Sequence, residues 1–311
     1  MQNPSDVLTP DAFRILDAIA RAGSFAGAAR TLGLVPSALT YRVRQIEDAL
    51  DVLLFDRSSR QAIPTAAGAE LMRQGERLRG EVDAVVNRVK RMATGWEPQL
   101  TIAADGLISH PALMELACDF FSLNPPTRLR IRDEILSGTI GALASGRADL
   151  ALGAMLEPSS AADLKARPMG VVRFVYAVAP HHPLASMPEP ISDAELQKHR
   201  AVVVADSTQS GITQSFGLLE GQDSFVVSSV AAKLDAQLRG LGTGFLAEPI
   251  ARPYLETGRL VARQVERSTR ELSLSYAWRA SGPPGRALAW WLKQLERPIT
   301  RRALLEQHRG V

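Results

Sequence analysis

The chain has 311 residues, of which 46% are hydrophobic and 22% charged, a balance typical of a soluble globular protein with two or three domains. No apolar run approaches the length of a membrane span, and the single cysteine, Cys118, cannot form an internal disulfide. The first residues lack the basic and apolar regions of a signal peptide, so we expect a cytoplasmic protein without membrane contacts. The formal net charge of only +3 does not by itself establish nucleic-acid binding.

Three short helices are predicted before Asp51. Thr9-Pro10-Asp11 is a strong helix start, with a capping hydroxyl, a proline at the first position and an acid in the first turn. We expect this helix to end at Gly23, after which Ser24 caps a second helix and Pro36 begins a third. The positions expected to face a shared core are Phe13, Leu16, Ile19, Ala20, Leu39, Val43 and Ile46.

The second and third helices, with the short turn between them, are typical of a helix-turn-helix, whose later helix enters the DNA major groove. The polar open face of the third helix favours this interpretation over an ordinary helical hairpin with a solvated face. The residues expected at the DNA are Ser24, Pro36, Ser37, Ala38, Thr40, Tyr41 and Arg42.

A two-stranded wing is predicted after the third helix. The segment from Leu53 to Phe55 is short and apolar, and Ile63 is placed to return antiparallel to it. We expect Arg57 and Arg60 near the tip of the wing, where arginines reach phosphates or a narrow minor groove. The alternative is that both are solvated surface residues.

A long helix is predicted from Thr65 to about Ala93. Its apolar residues recur in steps of three and four from Leu78 onward, which is typical of a coiled-coil seam. We interpret it as a dimerising linker, and the alternative is a helix packed against its own domain. The seam residues are Leu71, Leu78, Val82, Val85, Val89 and Met92.

The order of these motifs resembles the LysR-type transcriptional regulators, notably through Leu54-Phe55-Asp56-Arg57 and Pro64-Thr65-Ala66-Ala67-Gly68 before the long helix. The resemblance implies an effector-modulated, sequence-specific regulator that binds double-stranded promoter DNA, contacts RNA polymerase and forms a homodimer or homotetramer. Family members often begin the recognition helix with Ser-Gln-Pro/Ser-Ala, whereas this chain has Val35-Pro36-Ser37-Ala38. The operator of a typical member therefore does not transfer to this chain.

A different composition begins after Trp96-Glu97-Pro98, where strands alternate with helices and indicate a mostly parallel sheet with helices on both faces. The predicted strands are 100–104, 129–133, 149–153, 174–179, 201–205, 225–228, 245–247 and 272–277, and the predicted helices are 111–122, 139–145, 230–239 and 286–297.

The fold class expected for the whole chain is α/β. The resemblance implies an N-terminal winged helix-turn-helix with a long linker helix, followed by a two-subdomain, periplasmic-binding-protein-like effector domain. The domains are placed at 1–64, 65–95 and 96–311, with subdomains at about 98–168 plus 272–300 and about 169–271.

Open α/β sheets bind ligands at the carboxyl ends of strands and at helix N-termini, so a cleft between the subdomains is the expected effector site. The candidate lining residues are Asp105, Gly106, Leu107, Ile108, Ser109, Asp206, Ser207, Thr208, Val227 and Phe245. Each position is also compatible with a plain turn at a strand end. The set contains no arginine clamp, which favours a small neutral, aromatic or cationic effector over a polyanion.

Two other functions compete with this one: a ligand-independent architectural DNA-binding protein, and an α/β enzyme fused to a DNA-binding head. The glycines of Gly240–Gly244 follow a predicted helix, whereas those of a dinucleotide fingerprint precede one. His181-His182 has no further ligand at metal-binding spacing, and Ser207 has no nucleophile-elbow context. We therefore expect no enzyme activity, no cofactor and no metal, and a buried structural thiol at Cys118.

Overall fold

The structure, a computed structural model, describes residues 3–56, 61–155, 164–207, 217–267, 271–280 and 282–306. The chain divides into two units, Met1–Val86 and Asn87–Val311. None of the described helices is long and apolar enough to cross a membrane.

The first unit begins with four helices and a two-stranded wing. Its elements are α1 (Pro4–Val7), α2 (Pro10–Ala22), α3 (Phe25–Leu32), α4 (Pro36–Leu50), β1 (Phe55–Asp56), β2 (Ile63–Pro64) and the long α5 (Ala66–Thr94), which continues into the second unit. The predicted helices α2 to α5 are confirmed, and α1 was not predicted.

Side-chain caps begin two of these helices, as predicted. The hydroxyl of Thr9 accepts the N–H of Ala12 at 3.2 Å, and that of Ser24 accepts the N–H of Gly27 at 3.1 Å. Gly33, with φ of 66°, ends α3 in the left-handed region that favours glycine. Helix α4 differs, because its capping position is the apolar Val35, which makes no side-chain hydrogen bond.

Most of the predicted inward positions are buried in the first unit, whereas Ala20 is only half-buried and Ile15, which was not predicted, is fully buried. Ile15, Leu16 and Ile19 of α2 pack against Leu39 and Val43 of α4, and each of these five side chains is at most 1% exposed. This packing fixes the rotation of α4 about its axis and leaves its polar face outward.

The wing is confirmed, but its first strand is shorter than predicted. The strand begins at Phe55, and Leu53 lies outside it with 58% of its surface exposed. The reason is local hydrogen bonding: the buried carboxylate of Glu47 accepts the N–H of Leu54, and the hydroxyl of Thr65 donates to the carbonyl of Leu53. The N–H of Leu54 and the carbonyl of Leu53 are therefore bound by side chains and do not extend the pairing of β1 with β2.

The N-terminal part of α5 packs closely against its own unit. A Cβ on Gly68 would lie 2.0 Å from the carbonyl oxygen of Leu54, and one on Gly75 would lie 2.1 Å from Cδ1 of Phe13. Leu71 is half-buried against the same core. Its assignment to the seam is therefore corrected, because its apolar surface packs against the first unit's own core.

The second unit is an α/β structure. Its strands are β3 (Gln99–Asp105), β4 (Arg128–Glu134), β5 (Leu150–Ala154), β6 (Leu164–Val178), β7 (Ala201–Val204), β8 (Ser224–Val227), β9 (Gly244–Ala247), β10 (Val261–Arg263) and β11 (Glu271–Arg279). Its helices are α6 (His110–Phe121), α7 (Gly138–Ala144), α8 (Asp193–Leu196), α9 (Val230–Leu238), α10 (Glu248–Glu256), α11 (Arg286–Leu295) and α12 (Pro298–Glu306), with a 3₁₀ turn at Pro183–Ser186.

Two lobes share the long strands β6 and β11. The first lobe contains β3 to β5 with α6, α7, α11 and α12, and the second contains β7 to β10 with α8 to α10. Parallel pairing occurs in β4-β3-β5 and in β7-β8. Strands β6 and β11 pair antiparallel with each other and with their other neighbours, so the prediction of a mostly parallel sheet is wrong and the sheet is mixed.

Every strand and helix predicted for this unit is present, whereas α8, α10, α12 and β10 were not predicted. The prediction of a buried thiol is wrong, since Cys118 is exposed. Helix α6 buries Leu113, Ala117 and Phe120, and the helical repeat places Cys118 outside this buried face.

The uncapped start of α4 gives a stability prediction. Val35→Ser is expected to raise the free energy of unfolding by about 1 kcal/mol, because a hydroxyl there accepts an N–H of the first turn. Ser24→Ala removes an existing cap and is expected to lower it by about as much. Chemical denaturation of the intact chain, followed by circular dichroism, measures both. Val35→Ala is the control, and equal stability of the Ser and Ala variants would contradict the prediction.

Candidate DNA-binding face and effector cleft

The outward face of α4 is polar and open to solvent. Pro36, Ser37, Tyr41 and Arg42 are exposed, and 63% of the surface of Tyr41 is accessible. The Tyr41 hydroxyl accepts a hydrogen bond from the amide of Gln45 at 3.1 Å. This face presents hydroxyls, a ring and a guanidinium, which are groups that hydrogen-bond or pack against base edges in the major groove.

The other predicted α4 residues are less open. Ala38 and Thr40 are half-buried, and the hydroxyl of Thr40 donates to the carbonyl of Pro36 at 3.0 Å. Ser24 uses its hydroxyl to cap α3. Arg57 and Arg60 lie outside the described residues.

Arg42 forms an ion pair with Asp11 at the start of α2. Asp11 also pairs with Arg14 at 2.6 Å, so one carboxylate is shared between two guanidinium groups. All three side chains are well exposed, and exposed pairs contribute at most about 1 kcal/mol. The pair therefore holds Arg42 against the protein only weakly.

A cavity of about 800 Å³, including its open mouth, lies between the two lobes of the second unit. The walls are predominantly apolar and come from the ends of β3, β5 and β7, the loop after β4, and from β6, β9, β11 and α9. The lining residues are Asp105, Leu107, Ile135, Leu136, Gly153, Met155, Phe174, Val204, Val230, Lys233, Phe245, Leu246, Ala247, Leu272 and Leu274.

Asp105 holds two loops at the cavity wall. Its carboxylate accepts the N–H of Leu107 at 2.9 Å and that of Leu136 at 3.0 Å. Burial raises the pKa of Asp105 to about 7, although these two N–H groups act in the opposite direction and Asp206 adds a smaller upward effect. Leu136 has a φ of 54°, so Asp105 stabilises a turn that a leucine rarely adopts.

Asp206 and Ser207 connect the two lobes. The hydroxyl of Ser207 donates to the Glu134 carboxylate at 2.7 Å and accepts the N–H of Ile135 at 2.9 Å. The hydroxyl of Ser137 donates to Asp206 at 2.7 Å. We call these five residues the clasp. It joins the loop after β4 in the first lobe to the end of β7 in the second.

The remaining predicted effector residues have mixed placements. Leu107 and Phe245 line the cavity, and the Phe245 ring packs edge-on against Tyr176. Gly106 lies where a Cβ would come within 2.9 Å of Val230. Ser109 is fully buried and caps α6. Ile108 is buried in the core of the first lobe, Val227 is half-buried in β8, and Thr208 lies outside the described residues.

Sequence reasoning missed Lys233, which lies on α9 and lines the cavity. The side chain is 8% exposed, and burial lowers its pKa to about 8. Among the residues that the structure describes, none forms a hydrogen bond or ion pair with its ammonium group. The only signal in the sequence is a lysine within a short amphipathic helix, which ordinarily indicates a solvated residue.

Two family descriptions match the chain. "Bacterial regulatory helix-turn-helix protein, lysR family" matches residues 10–69, and "LysR substrate binding domain" matches residues 93–298. The probable HTH-type transcriptional regulator YhaJ of Escherichia coli K12 is 36% identical over 288 residues, which cover 93% of this chain and 96% of that protein.

Solved structures share the fold. Full-length LysG from Corynebacterium glutamicum with bound effector Arg has a TM-score of 0.51 at 21% identity, covering 97% of this chain and 100% of that one. Full-length CbnR complexed with its target DNA has a TM-score of 0.56 at 17% identity, covering 93% and 99%. The exposed polar face of α4, the cavity between the lobes and both family matches confirm the resemblance drawn from the sequence. The chain belongs to the LysR family of DNA-binding transcriptional regulators with an effector-binding domain.

Proposed function

We propose that α4 is the recognition helix of this regulator and lies in the major groove of promoter DNA. The observation that carries the proposal is the division of α4 into a buried apolar face and an exposed polar face. The residues assigned to the DNA are Pro36, Ser37, Ala38, Thr40, Tyr41 and Arg42, with Ser24 near the adjacent backbone and Arg57 and Arg60 on the wing.

We propose that α5 pairs with α5 of a second copy of this chain. Leu78, Val82, Val85, Val89 and Met92 are between 41% and 89% exposed and recur at coiled-coil spacing on one helix. Contiguous apolar side chains of this kind are seldom left in water, and a heptad seam is buried best by a matching helix. Two paired chains present two recognition helices, so the contacts of one short helix are doubled.

We propose that the effector binds in the cavity between the lobes and acts on their relative arrangement. The cavity walls come from both lobes and from the two strands that join them, and the clasp lies beside it. A ligand that binds one arrangement more tightly than the other shifts the population towards it. We expect such a shift to change the spacing of the DNA-binding heads in the oligomer.

The family relation supports three further parts of the proposal. The relatives named here are transcriptional regulators, so we propose that this chain catalyses no reaction. We also propose that it acts in the cytoplasm and contacts RNA polymerase at the promoter. The two aromatic rings in the cavity wall, Phe174 and Phe245, support an effector with a flat apolar body.

The assignment of DNA contacts gives a first prediction. Arg42→Ala is expected to weaken the preferred site by about 1–3 kcal/mol and to relax base preference, if the guanidinium reads guanine. Arg57→Ala is expected to weaken all duplexes alike, because a backbone contact carries no sequence information. Selection of bound sites from random duplexes, followed by footprinting and affinity measurement on preferred and scrambled DNA, measures both effects.

Arg21→Ala is the control for loss of a positive charge, since Arg21 is exposed on α2 and pairs with Asp17. Equal losses on preferred and scrambled DNA for the Arg42 and Arg57 variants would refute the division of roles. Failure of the wild-type chain to select or protect any duplex at low ionic strength would refute the proposed function itself.

The seam on α5 gives a second prediction. The double variant Val82→Glu with Val85→Glu is expected to produce a monomer, since four carboxylates would face one another across the paired helices. Sedimentation at micromolar concentration measures the change, and affinity for a selected site is expected to fall with it. The matched control is Glu81→Ala with Asp83→Ala, which changes exposed charges on the same turns. A double glutamate variant that stays dimeric would overturn the seam.

A further inference from the structure

Lys233 is the one basic side chain among the described residues that line the cavity. It sits in the first turns of α9 with 8% of its surface exposed, and its ammonium group has no hydrogen-bond or ion-pair partner among the described residues. The Nζ of Lys233 is not among the fully buried atoms that lack a partner, so the ammonium group is reached from the cavity, where an anion can pair with it.

The acidic groups near the cavity are already used by other parts of the protein. Both oxygens of Asp105 accept backbone N–H groups, and Glu134 accepts from Ser207 while lying 3.6 Å from Arg147. Asp206 accepts from Ser137. None of these carboxylates forms an ion pair with Lys233, so the cavity holds a cation that the described protein groups leave uncompensated.

The rest of the cavity restricts what such a partner can be. Apart from Asp105 and Lys233, the lining side chains are apolar, and two of them are the phenylalanine rings Phe174 and Phe245. A ligand that fits this wall buries an apolar body and carries one charged end. A second negative charge would meet no second cation among the described lining residues and would lie near Asp105.

We infer, on the basis of the effector site proposed above, that the ligand is a small organic monocarboxylate with an apolar, ring-bearing body, and that Lys233 binds its carboxylate. The expectation from the sequence favoured neutral, aromatic or cationic ligands because no cation was visible at the cleft. Lys233 supplies that cation, and polyanions remain disfavoured because it is the one basic side chain among the described lining residues. The ammonium donates charge-assisted hydrogen bonds to the carboxylate oxygens, which offsets the cost of burying both charges.

The test uses the full-length chain with four probe acids, namely benzoate, salicylate, phenylacetate and 3-phenylpropionate, each paired with its neutral amide. Thermal shift and calorimetry measure binding to wild type and to Lys233→Met, Lys233→Arg and Lys165→Met. Methionine matches lysine in length without its charge, arginine retains the charge, and Lys165 is an exposed lysine on β6 that serves as the matched control.

At least one acid is expected to bind wild type about 10- to 100-fold more tightly than its amide. Lys233→Met is expected to abolish that difference, Lys233→Arg to retain part of it, and Lys165→Met to leave it unchanged. Lys233→Met is also expected to raise the melting temperature without ligand, because it removes an unpaired buried charge. A merely structural lysine would give a lower melting temperature on substitution.

Three results would overturn the inference. Acid and amide binding equally, or an acid binding unchanged to Lys233→Met, would remove Lys233 as the anion site while leaving an effector cleft. A loss of melting temperature in Lys233→Met would show that the lysine has a partner within the protein. Failure of all four acids to bind would reject this ligand class. The DNA selection described above decides the proposed function independently of each of these results.

Discussion

The antiparallel pairing of β6 with β11 is the constraint on which the effector-binding unit depends. The two strands pair from Glu271 opposite Arg173 to Arg279 opposite Leu164, and the chain passes between the lobes along them. They also form part of the cavity, through Phe174 on one strand and Leu272 and Leu274 on the other. The register shifts just after Leu274, and such irregularities bend and twist strands locally. The link between the lobes is thus also part of the cavity wall.

The two buried ionisable groups of the cavity have different physical roles. Asp105 is compensated from within, since two backbone N–H groups bind its oxygens and fix the loops that carry Leu107 and Leu136. Lys233 has no comparable compensation among the described residues. A group that stabilises the fold satisfies its own hydrogen bonds, whereas one kept for binding retains unsatisfied capacity at a cost in stability. By that criterion Asp105 shapes the site and Lys233 binds the ligand.

Local signals predicted most of the elements, because their causes are local. Thr9 with Pro10, and Ser24 with Gly33, mark helix ends by capping and left-handed geometry that neighbouring residues decide. The antiparallel direction of β6 and β11 depends on partners about 100 residues apart, which no short pattern specifies. Helix α12 was not predicted, and Pro298 occupies its first position, directly after the predicted end of α11 at residue 297.

The site shows the same division between local and distant causes. Strand-end positions predicted Asp105, Leu107 and Phe245 at the cleft, and all three line the cavity. Ser207 was predicted from the same rule, but its hydrogen bonds to Glu134 and Ile135 depend on how the two lobes meet.

At the DNA-binding face, Arg42 was correctly placed on the open side of α4, while its ion pair with Asp11 joins two helices and was not visible in the sequence. The whole chain has a net charge of only +3, and Asp11 is shared by two arginines, so a single DNA-binding domain has little electrostatic affinity for DNA. Under the proposed pairing through α5, two heads contact the DNA together, and an effector that alters this pairing would change binding.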